Sequence, residues 1–156
     1  EENLKKLTDE LGLNSAVEFF GIIPQEHLYA YMKGAVAHIC PSRSEGGGNV
    51  NIEASACGCI PIGANIGGIS EYIKDNETGL LFESENADDL AQKIIKTLNK
   101  PETNDRMIKN GLLFADSFSI EAQADKYITM YEELSCKNKF IPWSDLTKEF
   151  ADVIES

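Results

Sequence analysis

Pro41-Ser42-Arg43-Ser44-Glu45-Gly46-Gly47-Gly48-Asn49-Val50-Asn51-Ile52-Glu53-Ala54 is the stretch on which the reading of this chain turns. Two short apolar runs flank it, 35–40 before and 60–64 after, and both read as buried strands. A strand, a glycine-rich loop and a helix start, in that order, make a place where backbone N–H groups point at a bound anion. Two carboxylates eight positions apart, Glu45 and Glu53, bracket that place.

Outward from this core, segments of opposite type alternate. Upstream, 4–11 reads as the end of a helix stopped by Gly12, and 17–20 as a short strand closed by Gly21 and Pro24. A helix over 27–33 ends at Gly34. Downstream, a helix over 49–57 ends at Gly58, and the strand 60–64 is followed by a loop and a short helix over 70–74. A turn over 75–79 then leads into a strand over 80–82. Helices dominate from there. The first, 87–98, starts at an Asn86 or Ser84 cap and carries Leu90, Ile94, Ile95 and Leu98 on one face. Helices over 102–115 and 120–134 follow, the latter with Ser119 and Glu121 at its start. Short strands separated by helices need crossover connections, so they pair in parallel. The expected fold is α/β, a doubly wound parallel sheet. Residues 1–136 form its domain, and 137–156 form a tail in which Ser144 caps an amphipathic helix carrying Leu146, Phe150, Val153 and Ile154.

Composition narrows the function. A chain of 156 residues fits one domain with a real core, and 42% hydrophobic with 26% charged residues are globular values. A net charge of −12 argues against nucleic acid, whose phosphates need a basic face. A nucleotide remains compatible, because a helix N-terminus supplies positive potential locally. No apolar run approaches the roughly 20 residues that span a bilayer, and no signal peptide opens the chain, so a cytoplasmic protein is expected. Cys40, Cys57, Cys59 and Cys136 read as reduced thiols. Cys57-Gly58-Cys59 lacks further metal ligands at suitable spacing, and His27 and His38 do not provide them.

In doubly wound sheets ligands bind beyond the carboxyl ends of the strands, where the loop 41–49 lies. Gly46, Gly47 and Gly48 allow a tight turn and close approach of a ligand. Glu53 falls about one turn into the helix, at about 1.5 Å rise per residue, where a carboxylate can accept from a pair of sugar hydroxyls. A P-loop is excluded because no lysine follows the glycines, and a dinucleotide fingerprint needs a glycine where Asn51 stands. What remains is a diphosphate site of another style, or the plain alternative of a flexible loop with solvated carboxylates.

These residues resemble the E-x7-E signature of retaining GT-B glycosyltransferases of the family 4 group, with Glu45 and Glu53 in the two glutamate positions. Pro41-Ser42 precedes them and Ala54-x-Ala56-Cys57-Gly58 follows. Gly67-Gly68-Ile69-Ser70-Glu71 and Asp75-Asn76-Glu77-Thr78-Gly79-Leu80-Leu81 are similar to later landmarks of that family, and Val17-Glu18-Phe19-Phe20-Gly21 to the strand before it. The resemblance runs over 4–134. It implies a Rossmann-like, N-terminally truncated C-terminal half of a GT-B fold, the donor-binding half of a two-domain enzyme. That enzyme would transfer a sugar from a UDP-, GDP- or ADP-sugar to an acceptor hydroxyl with retention and with no obligatory metal.

By the same resemblance Glu45 touches hydroxyls of the transferred sugar and Glu53 holds the ribose. Gly46 belongs to the donor loop, the amides of Gly47 and Gly48 face the sugar, and those of Asn49 and Val50 face the diphosphate. Gly21, Ile22 and Ile23 lie near the base. The implied partners are the nucleotide sugar, an N-terminal acceptor-binding domain, and an acceptor glycan or lipid-linked sugar reached at the inner membrane face. Three departures stand out: the family's diphosphate-binding arginine and lysine segment is missing, Gly47 replaces a common bulky aromatic, and Gly58-Cys59-Ile60-Pro61 is one residue longer than the usual turn. The fragment alone is therefore expected to be inactive. A non-catalytic nucleotide-sugar-binding module and a GT-B nucleotide-sugar epimerase are the alternatives. Among other residues, Arg43 reads as solvated, His38 as packed and Asp88-Asp89 as first-turn helix charge.

Overall fold

Three short strands make the sheet: β1 (Ala37–Cys40), β2 (Ile60–Ala64) and β3 (Leu80–Phe82). All pair in parallel in the order β1-β2-β3, with Ile39 opposite Ile62 and Ile62 opposite Leu80. The structure, a computed structural model, describes residues 1–44, 46 and 48–137. Around the sheet lie helices α1 (Glu2–Glu10), α2 (Gln25–Gly34), α3 (Asn49–Ala56), α4 (Ile69–Tyr72), α5 (Ala87–Asn99), α6 (Pro101–Asp116) and α7 (Ile120–Lys137).

The sheet is covered on both faces, and β2 shows why it must be. All five of its residues are buried, so alternate positions face different layers. Ile60, Ile62 and Ala64 join Leu80, Phe82 and Met107 in one core cluster, lined further by Leu90, Ile94 and Ile108 from α5 and α6. On the opposite face Cys40, Ile69 and Ile73 form a second cluster with Val50 of α3. Gly63 faces that side, where a Cβ would come 2.6 Å from Ile69 and 2.7 Å from Ile73. The missing side chain is what lets α4 lie so close to the sheet. A third cluster, Met32, Ala54 and Cys59 with Leu28 and Tyr29, packs α2 against α3.

The α/β reading holds, with changes that have physical reasons. The expected strand 17–20 is irregular. Among the described residues it has no ladder partner, and an extended segment becomes a strand only by pairing. On α5, Leu90 and Ile94 pack on the core, but Ile95 is 55% and Leu98 63% exposed. Thr97 takes the inward position instead, its hydroxyl satisfied by the Lys93 carbonyl at 2.9 Å. The Asn86 cap is real, since its side chain accepts from the Asp89 N–H at 3.0 Å. At the start of α7, Ser119 Oγ accepts from the Ala122 N–H at 3.2 Å. The expected tail helix over 144–154 lies outside the described residues.

Candidate functional site

The loop 41–48 leaves the carboxyl end of β1 and delivers the chain into α3, so the site is set by how that helix begins. Gly48 is the N-cap, and its carbonyl accepts from the Asn51 N–H at 2.8 Å. The first N–H groups of a helix have no intrahelical acceptor, and in α3 these start with Asn49 and Val50. A Cβ on Gly48 would stand 2.8 Å from Asn51 Nδ2, 3.4 Å from Tyr72 and 3.5 Å from the Ile69 backbone. Only glycine therefore lets the end of the loop sit down on both α3 and α4. Gly46, by contrast, is exposed, with open space where its Cβ would be.

Glu53 stands one turn further along α3 and is half-buried. It lines a cleft of about 230 Å³ with Tyr29 and Lys33 of α2 and with Ala56 and Cys57. The carboxylate thus faces the α2 side of the helix while Ala54 and Ser55 are buried. Tyr29 is itself held by a hydrogen bond from Gln25 Nε2 at 2.5 Å. Gly21, Ile22 and Ile23 lie in the irregular segment that precedes α2 and not at a strand end. Gly21 has φ +63°, Ile22 is fully exposed at 103%, and Ile23 is half-buried. Glu45 and Gly47 fall outside the described residues. Gly48, Asn49, Val50 and Glu53 are brought onto one helix start, whereas Gly21 to Ile23 precede α2, the helix that packs against α3.

Other candidates are given structural roles. Arg43 Nε pairs with Glu85 Oε1 at 2.8 Å on the surface, beside a hollow lined by Pro41, Phe82, Asn86 and Leu90. Asp89 accepts from the Glu83 N–H at 2.8 Å and so belongs to the entry of α5. His38 is half-buried on β1, its Nε2 without a hydrogen-bond partner among the described residues, and burial holds its pKa below the ordinary 6.5, which keeps the ring neutral. Burial, with Cys57 nearby, pushes the Cys59 thiol up to about 11, so it is protonated and inert. Among the described residues no group of three or more His, Cys, Asp and Glu is arranged to hold a metal, and no helix is long and apolar enough to cross a membrane.

Sequence reasoning passed over Asn51 and Ser55. Both are buried on α3, and Asn51 Nδ2 and Oδ1 and Ser55 Oγ have no hydrogen-bond partner among the described residues. The available signal was two polar residues four apart on the helix face that also carries Ala54. In the sequence Asn51 counts only as the absence of a third glycine.

A parallel sheet wrapped by helices, with a glycine-capped helix start at its carboxyl edge, defines a Rossmann-like α/β domain of the GT-B type. The family model for glycosyl transferases group 1 matches residues 1–133, and the chain belongs to that family. It is 35% identical over 121 residues, 78% of its length, to an uncharacterized glycosyltransferase of Methanocaldococcus jannaschii, of which it covers 34%. In fold it is similar to the sucrose-phosphate synthase of Thermosynechococcus elongatus, with a TM-score of 0.77 and 33% identity over 88% of this chain and 35% of that one. It is also similar to the HepE protein of Anabaena, solved in complex with UDP, with a TM-score of 0.74 and 23% identity over 86% of this chain and 36% of that one. The last comparison shows the fold alone. The chain therefore spans about a third of the length of the relatives it matches.

Proposed function

We propose that this chain is the donor-binding region of a retaining, family 4-type GT-B glycosyltransferase. The observation that carries the reading is the start of α3, where Gly48 caps the helix beyond the sheet and Glu53 projects one turn later. The N–H groups of Asn49 and Val50, with the partial positive charge of the helix end, receive the diphosphate of a nucleotide sugar. That local potential is what a chain of net charge −12 has to offer an anion. Glu53 holds the ribose hydroxyls, the amides of Gly47 and Gly48 in the donor loop with Gly46 face the sugar, Gly21 to Ile23 flank the base, and Glu45 orients the transferred hexosyl group.

Transfer then proceeds by departure of the nucleotide diphosphate, stabilised by those amides, and attack of an acceptor hydroxyl on the same face of the sugar. No resident metal is required. The acceptor, a glycan or lipid-linked sugar, is presented by an N-terminal domain of the complete protein, in the cytoplasm and at the inner membrane face. The 156 residues alone bind the donor weakly and do not transfer, because cationic contacts to a diphosphate are strong ones and must come from elsewhere. Calorimetric titration of the complete protein with UDP-, GDP- and ADP-glucose tests this. One base is expected to be selected at least about tenfold over the others, and binding of none would overturn the reading.

A further inference from the structure

Asn51 presents a buried amide at the point where the proposed donor loop meets the helix. It is the third residue of α3, 0% exposed, and neither amide atom has a hydrogen-bond partner among the described residues. A buried, unpartnered amide loses water and gains nothing in exchange, whereas an apolar side chain of the same shape would fill the space without that cost. The amide's place is also particular. Its Nδ2 occupies the space a Cβ on Gly48 would need, while Tyr72 and Ile69 of α4 close in beside it. The backbone within reach is that of Gly48, the N-cap on which the N–H groups of Asn49 and Val50 depend for their aim.

Resting on the donor reading above, we propose that Asn51 is a positioning residue for the donor. When a nucleotide sugar fixes the backbone at Gly48, that backbone supplies the partners the amide lacks in the free protein. The amide in turn holds the first N–H groups of α3 toward the diphosphate. The hydrogen bonds are gained only in the bound state, so Asn51 adds to donor affinity and not to the stability of the free protein.

The test uses the complete protein with Asn51→Leu and, in case the branched side chain overpacks, Asn51→Ala. Each is melted without nucleotide and titrated with UDP-, GDP- and ADP-glucose beside the wild type. At least one variant is expected to melt no lower than the wild type yet bind its preferred nucleotide sugar about fivefold more weakly, with a smaller donor-induced rise in melting temperature. Variants that bind as the wild type does would overturn the proposal, as would variants in which weaker binding always comes with a lower melting temperature, the mark of plain packing. If the wild type binds none of the three, the donor reading itself fails; if it binds and the variants match it, only the role of Asn51 fails.

Discussion

Single residues decide what the helix start can do. Glu53 is half-buried beside Tyr29 and Lys33, and its carboxylate makes no hydrogen bond among the described residues. Glu53→Gln in the complete protein is predicted to weaken nucleotide binding about tenfold while leaving the melting temperature within about 2 °C; titration and thermal melts check it. His38 gives a pH dependence whose sign follows from its burial. Because its folded pKa lies below 6.5, acid protonates the unfolded chain first. Its contribution is neutral above the ordinary value and becomes a loss of stability as the pH falls from 6.5 toward the lower folded pKa. Denaturant titrations over that window should show the loss, and His38→Phe should lessen it. The glycine-capped start of α3 and the strands on either side of it were legible because their signals are local. Asn51 was not, since whether a helix asparagine is solvated or buried depends on the elements that pack against α3, among them α4 and α6, which come much later in the chain.

At the scale of elements, β2 and β3 match the sequence reading to the residue, because continuous apolar runs between turn signals leave no other register. The segment 17–20 is also largely apolar and forms no strand, because pairing is non-local and composition does not supply a neighbour. On α5 the pattern of Leu90, Ile94, Ile95 and Leu98 holds only in part: tertiary packing keeps Leu90 and Ile94 on the core and adds Thr97. Gly63 under α4 is a tight joint between elements. Gly63→Ala would press a methyl to 2.6 Å of Ile69 and 2.7 Å of Ile73. Overpacking of that kind costs about 1–3 kcal/mol, to be read from denaturant midpoints. Because α4 also walls the Gly48 end of the loop, the same substitution is predicted to weaken nucleotide binding. A change in stability with unaltered affinity would uncouple the two.

For the whole molecule, the fold class and the family were legible together, since the order of strand, glycine loop, helix and strand carries both. What the sequence left open is set by parts of the structure that composition cannot reach. The chain covers about a third of the length of the relatives it matches, and the proposed reading assigns the acceptor and the diphosphate cations to the complete protein. An acidic chain that binds an anion by backbone dipoles alone should do so weakly and with little salt dependence. The complete protein, with cationic side chains on the diphosphate, is predicted to lose affinity about threefold or more between 50 and 300 mM salt; titrations at the two ionic strengths compare them.

A nucleotide sugar seated on the start of α3 would shift the backbone amide resonances there. With the selected nucleotide diphosphate added to the complete protein, the largest amide shifts are predicted at Gly48, Asn49 and Val50, with smaller ones near Glu53. Tight binding with those amides unmoved, and the shifts gathered elsewhere, would contradict that placement.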